Sequence, residues 1–403
     1  MRFAGSPFVV LGQLLAYLVA RRGRDRRQLG DTVERDVRPE VVTVDMQHNA
    51  RVAPHVVRLC PIVGDGNQRN RTVHDVDDVR RLRTTITTQC DQHTFAVIGG
   101  EGESTFEIHL RMIARYARAV LCTLGDLVED VVVWLHEPIN YGTDTPARIV
   151  RRRGGSAANV AYFAAAAGAA SRFVGQVGAD DTGERLLAGL HAAGVDTVVA
   201  RGGRTGAIVV VVDPSGERTM LTDRGAAIEL ERLPTGALDG GEVLHVPSYS
   251  LTEEPLVATA RSAIEMARAR AIPVSIDASS ASLLRSFGTA RFRLLIDELR
   301  PDIFFCNRDE HRALGLAIDE PMPGCAITVI KAGGDPTVVV TADTTHSIAV
   351  PPVDRIVDTT GAGDAFAAGY LLASIRGADP HIAVAEAHRL ASRVLLSPGA
   401  DLT

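Results

Sequence analysis

From about Met112 onward the chain alternates between short apolar runs and longer segments of helical spacing. Val120 to Leu124 is an apolar run that stops at Gly125-Asp126, which predicts a buried strand ending in a turn. Ala157 to Ala170 predicts an Ala-rich helix, Arg172 to Val177 a strand, and Gly183 to Ala193 a helix closed by Gly194. Ala207 to Val212 is a β-branched strand that ends at the turn residues Asp213-Pro214-Ser215-Gly216. Val243 to Val246, Val274 to Asp277, Ile303 to Cys306 and Ile327 to Ile330 predict further buried strands, with helical segments such as Pro255 to Ala271 between most of them. Strand and helix in alternation predict a mostly parallel sheet with helices on both faces. Ligands of such sheets sit beyond the carboxyl ends of the strands.

The alternation breaks in two places. Val131 to Leu135 and Ala147 to Val150 predict short strands joined by a Pro/Asn/Gly/Thr turn region. Ala207 to Val212 and Glu217 to Leu221 predict a hairpin around Pro214-Ser215-Gly216. Strands near 131–152 and 207–221 can form a small sheet outside the main one, and a lid over the site is the natural role for it.

Residues 1–111 have a different texture. Arg51 to His109 is rich in Arg, Asp, Thr, Gln, Asn and His, and carries no long amphipathic helix or regular strand series. The expectation is that this segment comes from an upstream start, with Met112 as the native one; an accessory segment and a disordered extension are the alternatives. Pro7 to Ala20 is apolar but short for a membrane span, and its strongest positive cluster, Arg21-Arg22-Gly23-Arg24, follows the run instead of preceding it. No secretory signal or membrane anchor is therefore expected.

Composition narrows the classes. The net charge of −6 gives no general attraction to nucleic acid or anionic membrane. Aromatic residues make up only 4%, so the core must be built from Ala, Val, Leu and Ile. The five cysteines, Cys60, Cys90, Cys122, Cys306 and Cys325, are scattered without a C-x-x-C pair, which argues against a disulfide framework or zinc site and for the cytosol. The twelve histidines show no metallohydrolase spacing. His245, near a strand end, reads first as a structural histidine. Lys331 is the only lysine and nearly all positive charge is arginine, which reads as a codon-composition bias and not as a binding device.

Three local patterns carry chemistry. Asp358-Thr359-Thr360-Gly361-Ala362-Gly363-Asp364 opens a helix over Ala365 to Ile375, after an extended segment at Val353 to Val357. Glycines there let the backbone approach a ligand, and the N–H groups of Gly361, Ala362 and Gly363 form an anion hole suited to a transferring phosphate. Asp364 beside it can take a proton from an attacking hydroxyl, which is what phosphoryl transfer needs besides positioning. A plain helix cap explains the same residues locally. Arg153-Gly154-Gly155-Ser156-Ala157-Ala158-Asn159 opens the Ala-rich helix, where Asn159 offers both donor and acceptor to sugar hydroxyls; a helix-start loop with a buried Asn is the simpler alternative. Asn307 and Glu310 stand three apart at a strand-to-helix junction and suit Mg²⁺ held partly through water. An N-cap with a first-turn Glu explains that pair equally well. Gly99 to Thr105 resembles a phosphate loop but lacks the required Lys.

Gly154 to Asn159 and Asp358 to Asp364 resemble the two signatures of the ribokinase-like, or PfkB, carbohydrate kinases, and Asn307-x-x-Glu310 resembles that family's N-x-x-E element, in the family's order. The resemblance covers about 117–403. It implies a ribokinase-like three-layer α/β/α domain at 112–403, with a mostly parallel central sheet and a small β lid. It implies ATP-dependent phosphorylation of a hydroxyl on a sugar or sugar-like molecule, with Asp364 as base and Gly361, Ala362 and Gly363 as anion hole. Asn307 and Glu310 would organise Mg²⁺ and the phosphates. Asp130, Gly154, Gly155, Asn159 and Asp277 would bind substrate, and Lys331, Gly333 and Gly334 would belong to the nucleotide loop. Asp358 matches a position used in potassium-dependent members, and the family often dimerises through the lid.

The sequence departs from the pattern at Asp335-Pro336, where a later loop Gly is usual and Pro offers no N–H, and in its short tail at Gly399 to Thr403. The alternatives are a nucleoside kinase of the same fold, a non-catalytic sugar-binding regulator, and a nucleotide-binding oxidoreductase. A nucleobase would need a flat wall, for which Trp134, Tyr141, Tyr162 and Phe163 are the candidates. A regulator would be expected to lack the base or the hole glycines, and an oxidoreductase to carry G-x-G-x-x-G after its first strand.

Overall fold

A computed structural model of the chain describes the backbone of residues 40–45, 58–62, 84–90 and 93–97, and describes residues 120–353, 355–396 and 400 with their side chains. The chain divides into two compact units, Met1–Ala117 and Arg118–Thr403. Pro7 to Ala20, Gly99 to Thr105, Met112 and Asp401 to Thr403 lie outside the described residues.

The first unit contains β1 (Glu40–Asp45), β2 (Arg58–Ile62), β3 (Thr84–Cys90) and β4 (His93–Val97) in one sheet of order β2-β1-β3-β4. The β1–β3 pair is parallel and the other two are antiparallel. The sequence shows no regular strand series here because β3 is Thr-rich: its strand propensity comes from β-branching, without an apolar stripe.

The second unit begins β5 (Val120–Leu124), β6 (Val128–Leu135), β7 (Ala147–Gly154), α1 (Ser156–Ala166), β8 (Ala170–Val177), α2 (Asp181–Ala192) and β9 (Asp196–Arg201). It continues with β10 (Thr205–Val212), β11 (Arg218–Gly225), β12 (Gly241–Pro247), α3 (Leu256–Ala269), β13 (Val274–Asp277), α4 (Ala281–Phe287) and α5 (Thr289–Leu299). It ends with β14 (Ile303–Asn307), α6 (Arg308–Ala313), β15 (Ile327–Lys331), β16 (Thr337–Val340), β17 (Thr345–Ile348), α7 (Ala362–Ile375) and α8 (Pro380–Leu395). Residues 353–357 were expected to be extended; the described ones, 353 and 355–357, join no strand, and Val357 is held by its N–H to Leu395 O at 2.8 Å.

The large sheet has the order β17-β16-β15-β14-β13-β12-β5-β8-β9. All its pairings are parallel except β15–β16 and β16–β17. The chain runs outward from β5 through β8 and β9, returns to β12 on the other side of β5, and runs outward again. The topological switch therefore falls between β5 and β12, and the crevice beyond their carboxyl ends is where a ligand is expected. Helices cover both faces. Leu256, Ala260 and Ile264 of α3, Leu284 of α4 and Phe292 of α5 pack on one, and Val160 and Phe163 of α1, α7 and α8 pack on the other. The helix α7 is buried nearly all round, from Ala365 to Ala373, as its almost wholly apolar sequence requires. Among the described residues no helix is long and apolar enough to cross a membrane.

The smaller sheet has the order β11-β10-β6-β7, with β6–β10 parallel and the outer pairs antiparallel. It leaves Ile149, Met220 and Leu221 exposed. It grows out of the switch point, because β6 follows β5 after only Gly125-Asp126-Leu127.

Candidate active site

Asp364 lies in the first turn of α7, where the helix dipole favours a negative charge. The residue that starts that turn, Gly361, has φ +79°, and a Cβ there would lie 2.7 Å from the Ala400 Cβ, so only glycine fits. Two side chains from α1 hold the carboxylate: Ser156 Oγ donates to Oδ1 at 2.7 Å and Asn159 Nδ2 to Oδ2 at 2.9 Å. The two glycine-containing segments, some two hundred residues apart, thus meet at one carboxylate. Burial pushes the Asp364 carboxyl up to about 6, opposed by the bonds from Ser156 and Asn159; the Asp277 charge raises it further and Lys331 lowers it. Of the three expected anion-hole N–H groups, that of Ala362 turns back to Thr359 O at 3.2 Å. Gly363 is exposed at the mouth.

Asn159 was expected to reach sugar hydroxyls. Its amide is already spanned, since Nδ2 serves Asp364 and Oδ1 accepts from Arg153 Nε at 3.1 Å. Arg153 also lies 3.7 Å above the Tyr162 ring and donates to Ala400 O. Gly154 on β7 pairs with Val128 on β6, two residues before Asp130, and a Cβ at Gly154 would sit 2.0 Å from Asp130 Oδ1. The glycine is what leaves space for that carboxylate. Burial, then the neighbouring Asp364, push Asp130 up to about 6, against the Arg153 charge.

The far side of the crevice is set by the ends of β13, β14 and β15. Lys331 Nζ donates to Asp277 Oδ2 at 2.6 Å, with both side chains mostly buried. Asp277 Oδ1 accepts from Ser279 N at 2.8 Å, so both oxygens are engaged by the protein. Asn307 and Glu310 form a complete capping box at the start of α6. The Glu310 carboxyl is also buried, and burial, followed by the Asp277 charge, raises it to about 7 against Lys331. Gly333 and Gly334 form an open turn after β15, with no atom within 4 Å of where a Cβ would stand. Asp335, which occupies the expected glycine position, pairs with Arg308 at 2.5 Å. Among the described residues no group of three His, Cys, Asp or Glu side chains could hold a metal ion.

Asp358 is tied to the smaller sheet. Its Oδ1 accepts from Arg218 at 2.9 Å, from Thr360 N at 2.9 Å and from Thr360 Oγ1 at 2.8 Å. Arg224, at the other end of β11, makes two bonds to Asp126, at 2.7 and 2.6 Å, and one to Glu253 at 2.9 Å. Tyr249, just beyond β12, lies within electrostatic reach of Asp364, Glu310 and Asp126; burial raises its hydroxyl pKa. Ser156, Arg153, Arg218, Arg224 and Tyr249 were not among the expected site residues. Only Ser156 and Arg153 had a sequence signal, inside the Gly154-Gly155 segment. His245 is fully buried beside Phe305, with Nδ1 at 2.7 Å from Ser275 Oγ and Nε2 without a partner.

A switch-point crevice, a second sheet beside it and a helix-start glycine loop next to a carboxylate define an α/β small-molecule kinase. Residues 120–403 match the pfkB family of carbohydrate kinases, and the chain belongs to that family. The chain is 31% identical over 274 residues to a fructokinase of Salmonella typhimurium, covering 64% of this chain and 84% of that one. Its fold matches an adenosine kinase from Sinorhizobium meliloti with a TM-score of 0.61 at 24% identity, covering 70% of this chain and 95% of that one. It also matches a fructokinase with bound ATP from Xylella fastidiosa, with a TM-score of 0.60 at 21% identity, over 70% of this chain and 94% of the other. The protein is a sugar or nucleoside kinase of this family. The strands at 40–97 lie outside the matched residues.

Proposed function

We infer that the protein transfers the γ-phosphoryl group of ATP to a hydroxyl of a sugar or sugar-like substrate, with Asp364 as general base. The observation that carries this is the Asp364 carboxylate, held by Ser156 and Asn159 at the start of α7 beside the exposed Gly363. Two fixed donors aim it, and a value near 6 leaves it ionised at neutral pH yet basic enough to receive a hydroxyl proton. The N–H groups at the start of α7 would face the charge that develops on the phosphoryl oxygens. Asp130, given its space by Gly154, would bind substrate hydroxyls. Asp277 would act through Lys331 more than on the substrate, since both its oxygens are taken. Gly333 and Gly334 would receive the nucleotide.

Mg²⁺ would supply charge neutralisation on the phosphates. Asn307 and Glu310 fit a role in its water shell, because the capping box already engages both side chains. At Asp358 the potassium expectation meets a guanidinium, since Arg218 occupies the same carboxylate.

A sugar is favoured over a nucleoside by the placement of the four aromatic candidates for a nucleobase wall. Phe163 is buried in the core, Tyr141 is 92% exposed, Tyr162 is covered by Arg153, and Trp134 faces Arg148 on the smaller sheet. The smaller sheet would close over the substrate, and its exposed Ile149, Met220 and Leu221 support a homodimer through it. The kinase chemistry is assigned to 112–403, with the segment 1–111 as no part of it. The test is ADP release from Mg-ATP across sugars, sugar acids, sugar phosphates and nucleosides. Turnover with a sugar-type compound supports this reading; turnover with nucleosides alone would replace it by the nucleoside kinase. ATP bound without turnover on any panel member would favour the sugar-binding regulator.

A further inference from the structure

We propose that Lys331 is a catalytic residue whose ammonium binds the transferring phosphoryl group directly, beside Gly363 at the start of α7. This rests on the phosphoryl-transfer reading of the same site.

Lys331 ends β15, in register with Asn307 at the end of β14, and its side chain returns across the strand ends to Asp277 on β13. Nζ lies 3.5 Å from the point where a Cβ on Gly363 would stand. It is the only atom from elsewhere among the described residues within 4 Å of that point. The ammonium is therefore packed against the glycine turn, next to the helix start and the Asp364 carboxylate that follows it. Three carboxylates, Asp277, Glu310 and Asp364, act electrostatically on this one ammonium. A phosphate entering among three acids needs a fixed cation at the point of transfer. A buried lysine–aspartate pair contributes little to stability compared with apolar residues of similar size. An ammonium has three protons, and the bond to Asp277 uses one, leaving two for phosphoryl oxygens. Asp277 then acts as a positioning residue that holds the cation ready.

In the step itself the substrate hydroxyl oxygen forms a bond to the γ-phosphorus. The bond from that phosphorus to the β,γ-bridging oxygen breaks, and ADP leaves with the electron pair. The hydroxyl proton passes to Asp364. Lys331 stays protonated throughout and offsets charge on the phosphoryl oxygens.

The experiment measures Mg-ATP and Mg-ADP affinity by calorimetry, and steady-state turnover, for the full chain and for Lys331→Met. The double variant Lys331→Met/Asp277→Asn is run beside them, because it leaves no unpaired buried carboxylate at 277 and so keeps the fold when the single variant does not. Loss of a charge-assisted contact to the γ-phosphate should weaken ATP binding roughly ten- to a hundredfold while ADP binding changes by less than about threefold. Turnover should fall roughly a hundred- to a thousandfold. Equal changes in ATP and ADP affinity, or wild-type turnover in either variant, would overturn the proposal. A wild-type protein that binds no ATP would instead overturn the phosphoryl-transfer reading on which it rests.

Discussion

Replacing Gly154 with alanine should disable substrate binding by moving one carboxylate. The new Cβ would stand 2.0 Å from Asp130 Oδ1, 2.4 Å from its Cγ and 2.8 Å from Oδ2. Ordinary contacts at such pairs begin near 3.4 Å, so the carboxylate must move by about 1.4 Å or leave its rotamer. If Asp130 binds substrate as proposed, a displacement of that size breaks its hydrogen bond to a substrate hydroxyl. A bond to a charged acceptor is worth about 1.5–3 kcal/mol, or roughly 10- to 150-fold in kcat/KM. The loss should appear mainly as a raised KM, because Asp364, the proposed base, and its two donors are untouched. Overpacking can also cost about 1–3 kcal/mol of stability, so each variant needs a thermal melt beside its kinetics. The decisive assay is a double-mutant cycle with Asp130→Ala, which removes the group that clashes. The combined variant should be no worse than Asp130→Ala alone, giving a coupling close to the full effect of Gly154→Ala. A normal KM in Gly154→Ala, or losses that simply add, would refute the reasoning.

Other consequences can be read from the charges around the site. Because Asp364 must be ionised to accept a proton and sits at about 6, kcat/KM should rise with pH through about 6 and level off above it; a flat profile from pH 5 to 8 would contradict this. Asn159→Ala removes a bond that favours the Asp364 anion, so the acid limb of that profile should move upward by about one pH unit. Arg224→Leu leaves the Asp126 carboxylate buried without its partner and should cost about 3–5 kcal/mol in urea unfolding. Adding Asp126→Asn should recover part of that loss.

Much of the kinase unit is legible in the sequence, because its strands are short apolar runs bounded by turn residues. The run Val274 to Asp277 is the whole of β13, and the runs at Ile303 and Ile327 stop one residue short of β14 and β15. The expected helix from Ala157 to Ala170 instead ends at Ala166, and Ala170 already opens β8, since an Ala-rich stretch carries no periodicity to mark its end. The helix α8 went unmarked despite its start signal, an Asp379 cap followed by Pro380. Around the candidate site, the Gly361 to Asp364 segment stood out because glycines at a helix start are a local pattern. The charged residues of the smaller sheet did not. Arg224 and Arg218 lie on a strand of the smaller sheet, 98 and 140 positions along the chain from their carboxylates. Arginines of that kind are ordinary polar positions until the fold brings them to the crevice. Asn159 shows the converse: its residue type suggested substrate, and the fold turns its Nδ2 to Asp364.

The central claim is that Asp364 takes the proton from the attacking hydroxyl. The most direct measurement compares Asp364→Asn with the wild-type protein, reading turnover on the substrate the panel identifies and Mg-ATP affinity by calorimetry on the same preparations. The account predicts a kcat lower by about 10²–10⁴ with ATP affinity nearly unchanged. Near-normal turnover in the variant would contradict it and remove Asp364 as the base.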